Sequence, residues 1–165
     1  MLIRPLSPDD ADVLWAARLQ ALRESPDAFL STLAEAAGDT AQVMRAQLED
    51  THMRYFGAFE HGQLAGFLRY VRPARSVRRH TAEIHSVHVG AGHRGRGIAR
   101  QLFAAAFAAA RAEGIESLTL TVLADNAPAR GLYEALGFVE TGLEPRAVKR
   151  NGGYVDMVAY WIALS

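Results

Sequence analysis

Residues 92–100 read GHRGRGIAR, and the alanine-rich run LFAAAFAAA follows at 102–110. Three glycines and three arginines share nine positions. The preceding TAEIHSVHV at 81–89 has the composition of a central strand. The stretch is therefore a loop that leaves a strand and enters a helix. At a helix start about four backbone N–H groups lack helical partners, and the aligned peptide dipoles add partial positive charge. Glycine lets a ligand approach the backbone closely. Arg94, Arg96 and Arg100 add charge-assisted donors. The physical reading is a phosphate site at the start of a helix. The competing reading is a tight strand-to-helix turn with solvated arginines.

Outward from this loop the chain divides into short elements. LIRPL at 2–6 reads as a first strand, and SPDD at 7–10 carries the Ser-x-x-acid pattern of a capped helix with Pro8 in its first turn. Leu14, Ala17, Ala21 and Leu22 line one helical face, SP at 25–26 ends that helix, and a weaker helix covers about 40–50. RYFGAF and LAGFLRYV flank the turn EHGQ at 60–63 and read as a hairpin. A helix runs from Gly97 to about Glu113 and SLTLTVL at 117–123 alternates as a strand. Asn126 caps a short helix that stops at Gly137. FVETGL and YVDMVAYWIAL are two last strands joined through NGG at 151–153. The order is β-α-α-β-β-β-α-β-α-β-β. It describes an α/β fold with a mixed, mostly antiparallel sheet and helices on both faces. The strands at 81–89 and 117–123 are parallel because a helix separates them.

The bulk numbers bound the function. A chain of 165 residues suits one domain, 1–165, with one core. Net charge is zero, which argues against a dedicated nucleic-acid binder. There is no cysteine, so no thiolate metal site and no cysteine nucleophile, and no metal is expected. The longest apolar run is too short to span a bilayer, and the first ten residues lack a signal peptide's apolar stretch. A cytoplasmic location is expected, and a homodimer is left open.

The glycines at 92, 95 and 97 fit neither a nucleotide P-loop nor a dinucleotide-binding fingerprint. Arg94-Gly95-Arg96-Gly97-Ile98-Ala99 instead resembles the Arg/Gln-x-x-Gly-x-Gly/Ala loop of the GNAT superfamily of N-acetyltransferases. DNAPARGLYEALGF at 125–138 resembles the family's second signature, through Asn126, Ala129, Leu132, Tyr133, Gly137 and Phe138. Ala91 stands where the family often has proline.

The resemblance implies acetyl-CoA as co-substrate, with its pyrophosphate on the loop from Arg94 to Ala99. It implies that the parallel strands splay, and that the thioester lies between them on backbone near Val87 and Val89. The acetyl group would pass directly to an amine, of a small molecule or a peptide, in a ternary complex. Asn126 would bond the coenzyme amide, cap its helix, or do both. Tyr133 matches the family tyrosine that bonds the coenzyme sulfur and is commonly assigned as general acid. A glutamate in some members serves as base at the place of Glu83. Even spacing sets Glu83 and His85 on one strand face with Val87 and Val89, with His88 opposite. His85 as base or relay, and a water chain, are the alternatives. A base matters most for a lysine-like amine, which costs about 4–5 kcal/mol to deprotonate at pH 7, against about 1 for an α-amine. The alternative to an enzyme is a non-catalytic acyl-CoA sensor. In the family the linker between the first two helices, 25–39, and the loop before the last strand, 144–154, usually shape the acceptor entrance. Glu24, Asp27, Glu35 and Glu144 are candidates to attract a cation. The five arginines of 69–79 are open between coenzyme phosphate, an acidic acceptor, nucleic acid and a solvated loop.

Overall fold

The N-terminal capping pattern is where local chemistry first fixes the chain. The Asp10 carboxylate accepts the Ser7 N–H at 2.8 Å and both terminal nitrogens of Arg4 at 2.8 and 2.7 Å. A short 3₁₀ turn over Pro8–Asp10 then leads into α1 (Ala11–Glu24). The computed structural model describes residues 1–164; Ser165, where the domain read from the sequence closes, lies outside the described residues.

The remaining elements are β1 (Leu2–Pro5), α2 (Leu33–Ala37), α3 (Ala41–Glu49), β2 (Met53–Glu60), β3 (Gln63–Val71), β4 (Thr81–Val89), α4 (Ile98–Ala112), β5 (Ser117–Leu123), α5 (Ala127–Ala135), β6 (Val139–Arg150) and β7 (Gly153–Ala163). One seven-stranded sheet runs in the order β1-β2-β3-β4-β5-β7-β6. β4 and β5 are its parallel pair, and the other pairs are antiparallel. The expected α/β architecture is the observed one. Both hairpin turns place two successive residues in the left-handed region, His61-Gly62 and Asn151-Gly152, as a tight two-residue turn requires.

The core forms in two layers. On one face of the sheet, Leu102, Phe103, Ala106 and Ala110 of α4 are fully buried against strand residues such as Leu68, Tyr70 and Leu118. The small alanines let the helix sit close to the sheet. α5 joins this layer through Tyr133. On the other face Leu14 of α1 and Met44 of α3 close over Tyr55 and Phe67. Each such fully buried apolar side chain contributes about 1.5–3 kcal/mol.

Two segments depart from the sequence reading. The stretch 25–39 is not a plain linker, because it contains α2. Thr32 Oγ1 accepts the Glu35 N–H at 3.2 Å and the Glu35 carboxylate accepts the Thr32 N–H at 2.8 Å. The Thr-x-x-Glu pattern that encodes this box was present in the sequence. The stretch 144–154 is not a loop either. It is the end of β6, the turn, and the start of β7.

The third departure shapes the site. Phe67 pairs with His88 and Arg69 with His85, so Ser86 and Val87 both stand opposite Leu68. This is a bulge, and Ser86 takes a left-handed φ of 54°. One extra residue flips the alternation of everything beyond it. His88 therefore lies on the face of Glu83 and His85, against Phe67 at 5.8 Å between ring centroids. Val87 and Val89 pack toward the α4 layer. Against the even-spacing expectation, the bulge parts Glu83 from Val87 and Val89 and brings His88 onto its face. β4 and β5 pair only at Thr81–Ser117, Ala82–Leu118 and Glu83–Thr119. From His85 onward the β5-facing edge of β4 has no strand partner, so the two strands splay as expected.

Candidate active site

The loop after β4 reaches the start of α4 through two left-handed glycines, Gly95 at φ 73° and Gly97 at φ 75°. Gly97 is the N-cap, and no side chain caps the helix. The first amide to find a helical carbonyl is that of Gln101, which bonds the Gly97 oxygen at 3.2 Å. The N–H groups of Ile98, Ala99 and Arg100 consequently have no helical acceptor. The Ile98 side chain is buried beneath them and anchors this end of the helix in the core.

These amides border a cavity of about 540 Å³. It runs along Val87 and Val89 of β4 and reaches Asn126 and Tyr133. A second cavity, of about 330 Å³, opens from the other side of the sheet. Ala28, Phe29, Val87, Asn126, Ala129 and Tyr133 line both. The cavities therefore meet where β4 and β5 diverge, and Tyr133 stands at the junction.

Tyr133 is 7% exposed and packs edge-on against Phe103, Phe138 and Tyr160. Burial pushes its hydroxyl up to about 12, with no hydrogen bond or charge contributing. Asn126 caps α5, its side-chain oxygen accepting the Ala129 N–H at 3.3 Å. That uses the oxygen and leaves the NH₂ group for another partner.

The arginines of the loop part company. Arg96 turns away from the cavity and binds Glu60 at the end of β2, at 2.9 and 2.5 Å. Arg94 donates to the Val89 carbonyl at 3.0 Å and to Ser25 Oγ at 2.9 Å. Arg100 lines the cavity. Among the described residues Arg100 alone of the three has no partner and can meet a phosphate; Arg96, read from the sequence as a direct side-chain donor, is engaged by Glu60 instead. Gly95, Gly97, Ile98 and Ala99 are brought together as expected.

Glu83 lies at the closed end of the splay. Its Oε2 stands 3.5 Å from His85 Nε2, and this neighbour chiefly holds the Glu83 carboxyl below its usual range. His85 lines the second cavity and Glu83 does not. His88 is buried between Phe29 and Phe67, which lowers it to about 4 and keeps it neutral.

The acidic residues considered for attracting a cation are engaged elsewhere or exposed. Glu24 accepts the Ala91 N–H at 3.1 Å, Asp27 faces Arg150 at 3.8 Å, and Glu35 caps α2. Glu144 is exposed on β6. Of the arginine run, Arg69 lines the second cavity, Arg72 binds Glu113 at 3.1 Å, and Arg75, Arg78 and Arg79 are exposed. Among the described residues no group of three or more His, Cys, Asp or Glu side chains could hold a metal ion, and no helix is long and apolar enough to cross a membrane.

A family profile described as the acetyltransferase (GNAT) family matches residues 18–138. The chain belongs to this family. An L-methionine sulfoximine/L-methionine sulfone acetyltransferase of Pseudomonas aeruginosa is 34% identical over 98 residues, 58% of this chain and 56% of that protein. Streptothricin acetyltransferase of Streptomyces lavendulae is 39% identical over 100 residues, 60% of this chain and 51% of that protein. The match thus spans about half the length of these curated relatives. A GNAT acetyltransferase from Streptococcus pneumoniae superposes with a TM-score of 0.87 at 25% identity, covering 99% of each chain.

Set in the GNAT fold, several residues gain a place that sequence reasoning did not give them. Phe29 enters from the segment before α2 and lines both cavities. Glu60 and Glu24 fasten the glycine loop to β2 and α1. Arg18 of α1 lines the second cavity. None belongs to a local motif. Arg18 and Arg69 are 51 positions apart, and only the packing of α1 on β3 brings both to one cavity.

Proposed function

We propose that this chain is an acetyl-CoA-dependent N-acetyltransferase that passes the acetyl group directly to an amine. The observation that carries this reading is the junction at Tyr133. A cavity headed by three unpaired helix-start amides meets a second, separately opening cavity there, between strands that have stopped pairing.

The pyrophosphate of the co-substrate rests on the amides of Ile98, Ala99 and Arg100 that follow Gly97, with the Arg100 side chain beside it. The loop geometry from Arg94 to Gly97 sets their direction. The pantetheine arm bonds the open edge of β4 near Val87 and Val89 and the NH₂ group of Asn126. The amine enters from the second cavity and attacks the thioester carbonyl. A β4 N–H in the splay meets the developing oxyanion; one such donor is worth roughly 3–4 kcal/mol. The carbon–sulfur bond then breaks. A tyrosine at about 12 stands well above a thiol near 8.5, so full proton transfer to the thiolate costs about 5 kcal/mol. Tyr133 therefore holds the sulfur by a hydrogen bond and keeps its proton. The proton of the amine leaves through His85 to Glu83, which is ionised at neutral pH.

The two curated relatives are named for different acceptors, so likeness does not carry an acceptor across. The test is release of coenzyme A thiol from acetyl-CoA against polyamines, amino acids, aminoglycosides and peptides, beside calorimetry of acetyl-CoA alone. Saturable thiol release with one class supports the reading. Absence of coenzyme binding refutes it, and binding without turnover of any amine favours a sensor.

A further inference from the structure

The acceptor cavity holds two arginines and no acid. Arg18 and Arg69 both line it, and among its lining residues there is no Asp or Glu. The Nε atoms of both arginines are buried and have no hydrogen-bond partner among the described residues. Arg69 is already oriented by neutral groups. Its terminal nitrogen donates to Tyr55 Oη at 3.1 Å and to Gln47 Oε1 at 3.2 Å, while Tyr55 Oη donates to the same Gln47 oxygen at 2.6 Å. Arg18 sits one turn before Ala21 and Leu22 on the face of α1 that borders the cavity. Neither guanidinium forms an ion pair among the described residues.

Both side chains are half-buried; buried donors without partners are rare, and a half-buried cation with no counter-ion favours an anionic ligand. A planar guanidinium lining a cavity is suited to carboxylate or a carboxylate-like oxyanion, which can take two parallel hydrogen bonds. The rest of the wall mixes apolar side chains, among them Leu22, Phe67, Ile84 and Leu120, with uncharged polar ones such as Ser31, Thr121 and Asn126, and His85 stands on the same wall. Resting on the acetyltransferase reading, we infer that the acceptor is an amine that also carries an anionic group bound by Arg18 and Arg69. The substrate class is free α-amino acids or their oxyanion analogues with uncharged side chains. Polyamines and aminoglycosides bring only positive charge to this wall and are excluded. A protein N-terminus has no carboxylate next to its amine and leaves both arginines unpaired.

The test compares each of a set of apolar amino acids with its own carboxamide, using acetyl-CoA and thiol release. The amide has the less basic amine, so chemistry alone favours it. The expected result is kcat/KM at least thirtyfold higher for the acids. Arg18→Gln and Arg69→Gln should each raise KM for the acid tenfold or more with kcat within threefold, and should bring the acid-to-amide ratio toward one. Arg18 makes no hydrogen bond among the described residues, so its variant should keep the fold even if the Arg69 variant does not; thermal melting checks both. Equal use of amides or polyamines overturns the inference, as does an unchanged ratio in the Arg18 variant. Calorimetry separates the two readings. A protein that binds no acetyl-CoA fails as an acetyltransferase. A protein that binds coenzyme A, but whose complex binds none of the acids, fails only on the substrate class.

Discussion

Arg96 and Glu60, 36 positions apart, are joined through two guanidinium nitrogens at 2.9 and 2.5 Å, and His93 Nδ1 stands 3.0 Å from the same carboxylate. The first hairpin thereby holds the glycine loop in shape. An arginine within the motif serves as a strut, and its partner lies in a turn with no motif of its own.

This relationship separates the arginines by experiment. Glu60→Ala and Arg96→Gln should each weaken coenzyme binding about three- to tenfold without touching the ligand. Arg100→Gln should weaken it at least as much and flatten its salt dependence. Calorimetry at two ionic strengths reads both effects.

Gly97 tests the backbone requirement. Its φ of 75° strains any residue with a Cβ, at about 1–2 kcal/mol. A Cβ there meets nothing within 4 Å in the protein, so no steric clash adds to that cost. Gly97→Ala should lower stability by about 1–2 kcal/mol and yet cost at least tenfold in coenzyme affinity, because the added methyl occupies space the phosphate needs. Melting and titration together distinguish these two effects.

Tyr133→Phe should leave stability unchanged, since the ring contacts remain and the hydroxyl has no hydrogen bond to lose. Turnover should fall at least tenfold with the coenzyme dissociation constant unaltered. Equal turnover would remove the hydroxyl from the mechanism.

Glu83 is held below the usual carboxylate range, so its ionisation lies well under neutral pH and cannot produce an acid limb near pH 7. Glu83→Gln should reduce kcat tenfold or more across the neutral range without moving that limb. The pH–rate profile of the variant decides it.

His88 gives the fold a sign-defined pH dependence. Its folded value of about 4 lies below the unfolded value near 6.5. The unfolded chain therefore binds the proton more readily. The stability is complete above about pH 6.5 and is lost as pH falls toward 4, by about 2–3 kcal/mol. His88→Phe, which keeps the packing between Phe29 and Phe67, should remove that slope in denaturant melts at pH 7, 5.5 and 4.

Much of this architecture is written locally. The capped start of α1, the EHGQ and NGG turns, the alanine face of α4 and the Asn126 cap each depend on residues a few positions apart. So do the left-handed glycines before α4. Short-range sterics and hydrogen bonding settle such features, and a sequence displays them. The glycine loop and the place of Tyr133 on α5 were legible for that reason. The face carried by His88 was not, because alternation by two holds only in an unbroken ladder. The bulge at Ser86 exists only where β4 must pair with both Phe67 and Arg69. The destinations of Arg96, Arg18 and Arg69 were equally hidden. A long charged side chain is satisfied by whatever partner the fold brings near it, at separations of tens of residues, and only the packed sheet and helices choose that partner.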